Sequence, residues 1–259
     1  MIKLPRRPRL FHVVPEAQAV RILGRARIKR LPRQFALVCW NMFKAKRRGV
    51  LDDVASLAAH AELMLLQEAV LHNDAPHAFH TSSGFEWVMG QSFAFKRKTV
   101  TSGVKTGSRA AAAQHVMVRS TDHEPFVKLP KTILATAYQL EGCDEELLVV
   151  NVHAVNIVSS QKFKRQIEQI DAIVAIHEGP VIVAGDFNTW NARRRTILMK
   201  AMAKRALKHV PLAASRWRHL NQVLDHVFYR GLTLRAAAAL LHIKSSDHIP
   251  LRVEFELGD

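Results

Sequence analysis

Cysteine is nearly absent from this chain of 259 residues: only Cys39 and Cys143 occur. Two thiols cannot supply a disulfide framework, so the fold must rest on its apolar core, and a reducing cytoplasm is the expected setting. No apolar run approaches the roughly 18 to 20 residues that span a bilayer, and the N-terminus lacks the continuous apolar segment of a secretory signal. Internal repeats and low-complexity tracts of useful length are also missing. Acidic residues are in the minority, with 22 Asp and Glu against 38 Lys and Arg and a net charge of +16. That imbalance suits association with a polyanion.

The chain does have ample apolar material. Hydrophobic residues make up 48% and charged residues 23% of the chain, enough for one large core in a single domain. The charge is unevenly spread: residues 1–34 contribute +9 and the remainder +7. Pro5, Pro8, Pro15 and Pro32 interrupt any long helix in that first stretch, so residues 1–34 read as a basic N-terminal extension and 35–259 as the catalytic domain. The extension suits contact with nucleic acid or with an anionic membrane, or a solvated tail that aids solubility.

From Phe35 onward one local grammar recurs, a short apolar run that ends in polar residues a core would not select. Phe35 to Cys39 leads into Trp40-Asn41, Leu63 to Leu66 into Gln67-Glu68, Leu147 to Val152 into His153, and Val181 to Ala184 into Gly185-Asp186-Phe187-Asn188. These are buried-strand patterns. Phe163, Ile167, Ile170 and Val174 recur at helical spacing and predict a helix from Ser160 to His177. A second helix is predicted from Ala192 to Lys208, capped by Asn191. Its Arg193-Arg194-Arg195 reads as a solvated helix start, with a phosphate clamp as the alternative. Between Ala69 and Arg109 the pattern weakens, and long loops are expected around short strands at Glu86 to Met89 and Phe93 to Phe95.

The polar endings supply the chemistry. Asn41, Glu68, Asp186, Asn188 and Asp247 offer hard oxygen donors, which select Mg²⁺ or Mn²⁺ over zinc. Such an ion can spread the charge that develops when a phosphate ester is cleaved. His153 and His248 also follow apolar runs, and an imidazole held by a carboxylate can activate water near neutral pH. Asp225 interrupts the apolar strand Leu224 to Tyr229 and is the expected partner of His248, since burying it unpaired would be costly.

Trp40-Asn41, Leu66-Gln67-Glu68, Val152-His153, Gly185-Asp186-Phe187-Asn188, Leu224-Asp225 and Ser246-Asp247-His248 stand in the order found in the endonuclease/exonuclease/phosphatase superfamily, which includes the DNase I-like nucleases. The chain resembles that superfamily from Phe35 to Phe255. Val150 to Asn156, Gly179 to Trp190 and Leu224 to Leu232 are especially similar to an uncharacterised bacterial branch of it. The resemblance implies a four-layer α/β/β/α sandwich, two mixed β-sheets packed face to face with helices outside. It implies that Asn41 and Glu68 hold the metal with Asp247 close to it. Asp186 and Asn188 would orient water and bind the scissile phosphate, and His248 with Asp225 would be the base. His153 would stabilise the phosphate or protonate the leaving group. The abasic-site endonucleases generally carry an aromatic hydroxyl where His153 stands, so the sequence is nearer the DNase, sphingomyelinase and phosphatase branches.

The expected function is therefore a metal-dependent phosphodiesterase acting on nucleic acid. A phosphatase or sphingomyelinase-like phospholipid phosphodiesterase is the alternative, and a catalytically silent binding scaffold a further one. His226 should face away from Asp225 along its strand and be structural. His72, His77 and His80 read as an exposed loop outside the site, Trp40 as core, Trp190 as a roof over the cleft, and Arg109 as a surface arginine.

Overall fold

Continuous apolar runs in the central strands bury both of their faces, and the chain covers both by stacking four layers. The computed structural model describes residues 11–72, 84–95, 100–124, 129–212 and 223–258. Residues 1–10, His77, His80 and Trp217 lie outside them.

Among the described residues, fourteen strands form two sheets. The larger sheet contains β1 (Phe11–Val13), β2 (Val20–Gly24), β3 (Gln34–Asn41), β4 (Leu63–His72), β5 (Glu86–Phe95), β6 (Val100–Ser108), β13 (Leu232–Ala239) and β14 (Leu251–Leu257). Its order is β1-β5-β6-β4-β3-β14-β13, with β2 also paired to β5. The smaller sheet runs β11 (Lys208–His209), β12 (Asp225–Arg230), β10 (Val181–Asp186), β9 (Leu147–His153), β8 (Pro130–Tyr138) and β7 (Gln114–His123). Both sheets are mixed: β3 and β4 are parallel, as are β9 and β10, and the remaining pairs are antiparallel.

Leu37, Cys39, Leu63 and Leu65 of one sheet pack with Val149, Ile182, Ala184 and Val227 of the other, and this is the interior between the sheets. Helix α1 (Val50–Ala59) covers the outer face of the larger sheet through Val50, Val54, Leu57 and Ala58. Helices α2 (Ser160–Ala175) and α3 (Ala192–Lys204) cover the smaller sheet through Phe163, Ile167, Ile170, Val174, Leu198 and Met202. The order of layers is helix, sheet, sheet, helices, as expected. None of the described helices is long and apolar enough to cross a membrane.

Two local departures from the sequence reading have physical causes. In the stretch between Ala69 and Arg109, residues 73–83 and 96–99 lie outside the described residues, and the rest is mostly sheet, with β4 reaching His72 and with β5 and β6 as strands of 10 and 9 residues. Glycine weakens a strand in isolation, but here it permits close packing. A Cβ at Gly103 would meet the Gly90 carbonyl oxygen at 1.9 Å, and one at Gly107 the Trp87 ring at 2.5 Å. Helix α3 stops at Lys204, because Ala206 takes a φ of 56° and Leu207 N–H turns back to Met202 O, which frees Lys208 and His209 to pair with β12. Within the basic N-terminal segment, β1 and β2 pair with β5 along the edge of the larger sheet.

Between the sheets lies a fully buried polar contact. Gln67 Nε2 donates to Asn151 Oδ1 at 2.8 Å, and Asn151 Nδ2 donates to Lys105 O at 3.1 Å. Replacing Asn151 by leucine removes one acceptor of Gln67 Nε2, leaving it Leu65 O at 3.2 Å, and the side-chain donor to Lys105 O, with both groups still buried. Asn151→Leu is expected to lower stability by about 2–3 kcal/mol, measured by urea unfolding; a change under about 0.5 kcal/mol would contradict this account.

Candidate active site

The alternation that builds the interior also builds the site. Ile182 and Ala184 face the opposite sheet, as do Val149 and Val227, and two-residue periodicity carries that face on to Asp186, His153 and Asp225. Register then aligns them, because Asp186 pairs with His153 on β9 and with Asp225 on β12. Asn41 ends β3 on the same inward face, following Leu37 and Cys39. Four polar side chains thus meet where the two sheets' strands end.

Asp186 is the hub. Its Oδ2 accepts from Asn41 Nδ2 at 3.0 Å, and it lies 3.8 Å from His153 Nε2 and 3.9 Å from His248 Nε2. Its Oδ1 accepts from the backbone N–H of Asn188 at 2.9 Å. Asn188 adopts a φ of 51° and donates through Nδ2 to Ala154 O at 3.0 Å. Burial pushes the Asp186 carboxyl up to about 6, with the charge of His248 opposing that shift and Asp225 adding to it.

His248 Nδ1 donates to Asp225 Oδ2 at 2.7 Å, the pairing expected from the sequence. Burial acts to lower the His248 pKa, but the charges of Asp225 and Asp186, the hydrogen bond to Asp225 and the charge of Asp247 outweigh it and raise the pKa to about 10. The loop carrying His248 is tied down on several sides. Trp40 Nε1 donates to His248 O at 3.1 Å, Ser246 Oγ to Asn41 O at 2.6 Å, and Arg47 Nη1 to Ser246 O at 2.5 Å. Asp247 Oδ1 lies 3.2 Å from Ser246 Oγ on this loop.

Glu68 reaches the site through a bulge. Between Leu66 and Ala69 the β4–β6 register shifts, so Gln67 and Glu68 stand opposite the single residue Val104. Glu68 takes a φ of 49° there. Such bulges redirect side chains, and strained backbone tends to gather at functional sites. Glu68 Oε2 contacts Lys44 Nζ at 2.5 Å, and Glu68 Oε1 lies 3.9 Å from His153 Nε2.

His153 sits in the opposite field to His248. Burial, then the cations Lys131, Lys44 and His248, push its pKa well below 6.5. Lys131 Nζ lies 3.0 Å from His153 Nε2; an ammonium only donates, so Nε2 accepts and the ring proton resides on Nδ1. A neutral His153 is a poor proton donor at pH 7, and its Nε2 serves to hold the Lys131 ammonium at the site.

All eight sequence-selected residues therefore join one hydrogen-bonded and ion-paired constellation, with Asp247 attached through the Ser246 loop. Glu68 and Asn41 offer carboxylate and amide oxygens, which suit a hard divalent cation, and the contact with Lys44 shows that positive charge gathers at Glu68. Among the described residues, one group of three His, Cys, Asp or Glu places its ligand atoms within 4.8 Å of one another: Asp186, Asp225 and His248. With His248 Nδ1 committed to Asp225, that trio handles a proton better than it binds a metal.

Lys44 and Lys131 were not singled out from the sequence, since neither stands in an apolar run with a polar ending. Arg109, expected at the surface, donates to the carbonyls of Ala58 and Ala61 at 2.8 and 3.0 Å and so caps α1. Arg194 is fully buried over Phe163, its centre 4.2 Å from the ring centroid, and donates to Val155 O. Burial lowers its pKa to about 10. It is neither a solvated residue nor a clamp open to substrate. His226 turns away from the site, as expected, to contact Thr189 Oγ1 at 2.7 Å and His209 at 3.1 Å. Trp40 is buried in the core, and Trp190 is 38% exposed, its indole N–H donating to Asn156 Oδ1 at 3.1 Å.

Residues 38–248 match the model of the Endonuclease/Exonuclease/phosphatase family. A UPF0294 protein of Vibrio campbellii is 36% identical over 229 residues, covering 86% of this chain and 78% of its own. Among solved structures, an endonuclease/exonuclease/phosphatase from Beutenbergia cavernae superposes with a TM-score of 0.65 at 17% identity, covering 87% of this chain and 72% of its own. The human Nocturnin catalytic domain with bound sulfate anion gives a TM-score of 0.65 at 14% identity over 92% of this chain and 98% of its own. At such identities the likeness to solved structures is one of fold.

Proposed function

Because the chain belongs to the endonuclease/exonuclease/phosphatase family, we propose that it hydrolyses phosphodiester bonds in the presence of Mg²⁺ or Mn²⁺, with His248 as the base. The observation that carries this reading is the 2.7 Å contact between His248 Nδ1 and Asp225, with His248 Nε2 left facing Asp186 Oδ2 at 3.9 Å. Asp225 fixes the ring so that Nε2 points at the place where a water would sit. In its neutral form His248 takes the water proton at Nε2 as the water oxygen bonds to phosphorus. The bond from phosphorus to the leaving oxygen breaks, and its electron pair departs with that oxygen. Asn188 and Asp186 flank the phosphate, and Lys131, held by His153, supplies a hydrogen bond and charge to its oxygens.

Glu68 and Asn41 would hold the divalent ion, with Asp247 nearby. Once bound, it would draw charge from the phosphate oxygens and, through its field, weaken the hold of His248 on its resting proton. Nucleic acid is the substrate favoured by the net charge, and a phospholipid or small phosphate ester calls on the same residues. Purified protein should cleave at least one of plasmid DNA, single-stranded DNA, RNA, phospholipid or bis(4-nitrophenyl) phosphate with Mg²⁺ or Mn²⁺, and lose that activity in EDTA. Glu68→Gln is expected to raise the Mg²⁺ concentration for half-maximal rate about tenfold or more, with calorimetry reporting the matching loss of affinity. No turnover above an Asp186→Ala control on any of these substrates would overturn the proposal.

A further inference from the structure

A cavity of about 490 Å³ opens directly off the site. One end is lined by Lys44, Glu68, Lys131 and His153, and the other by apolar residues that include Phe11, Phe93, Phe95, Val70, Val104 and Leu129. Phe11 comes from β1, the strand that the basic N-terminal segment adds opposite Phe95. The three phenylalanines are each only half-buried, although bulky apolar side chains gain most when covered completely. The cavity thus has a charged mouth beside the reacting centre, where Lys44 and Lys131 stand with Glu68 and Glu124, and an apolar body beyond it.

The ring geometry favours one kind of occupant. Phe11 meets Phe93 and Phe95 at centroid distances of 5.4 and 5.1 Å and interplanar angles of 79° and 68°, while Phe93 meets Phe95 at 60°. Rings crossed in this way form no pair of parallel faces between which a flat base would slide. On the wall, Ser92 Oγ donates to Pro130 O, and Lys131 pairs with Glu124 at 3.2 Å. Base edges are read by hydrogen bonds, whereas a hydrocarbon chain needs only apolar area.

We propose that this cavity is an apolar subsite for the hydrocarbon part of an amphiphilic phosphate ester, whose phosphate lies at the Lys44, Lys131 and His153 end. The proposal rests on the phosphoesterase reading and narrows its substrate class. It also gives the described part of the N-terminal segment a task, since β1 closes the cavity with Phe11.

Calorimetric titration of the full chain with butyl, octyl and decyl phosphate, below their micelle concentrations, and with thymidine 5′-phosphate is the test. Affinity is expected to rise at least about 30-fold from butyl to octyl phosphate, and octyl phosphate should bind more tightly than thymidine 5′-phosphate. Phe11→Ser and, separately, Phe93→Ser should each cut that chain-length gain below about threefold. Phe11 is on an edge strand, so its variant should keep the wild-type melting profile even where Phe93→Ser does not. A flat dependence on chain length, tighter binding of the nucleotide, or a full gain retained in a folded Phe11→Ser protein would overturn the subsite.

Phosphatidate vesicles present the same chemistry in a bilayer. Cosedimentation with them supports a membrane-borne substrate, and chain-length-dependent binding without cosedimentation supports a soluble amphiphile. Binding is read without turnover. Chain-length-dependent binding in a protein that hydrolyses nothing would therefore sink the catalytic reading and uphold the subsite, and turnover without it would do the reverse.

Discussion

His248→Ala is expected to lower kcat for phosphodiester hydrolysis by about 10²–10⁴-fold, the range associated with loss of a positioned general base. Asp225→Asn should fall in the same direction with a smaller loss, because the ring stays in place but its charged partner is gone. The two effects should not add, since Asp225 works through His248; the double variant should resemble His248→Ala alone. Activity of His248→Ala within about fivefold of wild type at saturating metal would remove His248 from the mechanism.

The same pair predicts a pH signature that needs no turnover. In the folded, metal-free protein the His248 pKa is raised from 6.5 to about 10, chiefly because the carboxylates around it outweigh burial. The stabilisation this pairing brings is therefore full below about pH 6.5, shrinks as pH rises, and is lost above about pH 10. The stability difference between wild type and Asp225→Asn should narrow across that window. An imidazole titration followed by NMR should place His248 near 10 in the wild type and nearer its ordinary value in Asp225→Asn. A wild-type midpoint near 6.5 would contradict the assigned electrostatics.

Gly185→Ala should produce a large loss of stability from a single methyl group. Gly185 adopts a φ of +148°, and a Cβ added there would lie 1.9 Å from the Val152 carbonyl oxygen on the neighbouring strand β9. That oxygen is backbone in the middle of a sheet, so neither partner can yield without breaking the β9–β10 ladder. A loss of about 4 kcal/mol or more is expected, with Asp186 displaced from His153 and activity falling in parallel. Chemical denaturation of the purified variant measures it, and a melting temperature within about 2 °C of wild type would show that the strands accommodate the methyl group.

Much of the site was legible in the sequence because its residues interrupt patterns that a core would otherwise continue. Asn41, His153, Asp186 and Asp225 are polar at the ends of apolar strands, and the structure puts them at one end of the sandwich. The Gly185-Asp186-Phe187-Asn188 motif also shows its logic, with glycine required by a neighbouring carbonyl and Asn188 in the left-handed region. Lys44 and Lys131 were not legible, because a lysine in a loop or at a strand start looks like any solvated charge until the fold brings it to a histidine. The strands between Ala69 and Arg109 were hidden for another reason. Their Gly, Ser and Thr residues signal loops locally, and only contact with a neighbouring strand turns small size into an advantage. Arg194 shows the opposite limit, since a run of three arginines gave no hint that the middle one would be buried in the core.

The row formed by His153, Asp186 and Asp225 at matched register has a consequence for folding fidelity. In each of the three strands the site residue lies on the same alternation as the neighbouring interior residues. A slip of one residue would turn an acid or an imidazole toward the helices and an interior aliphatic toward the end of the cleft at the same stroke. Misassembled sheets would be unstable as well as inactive, so the cell's ordinary disposal of unstable chains would also remove the inactive ones.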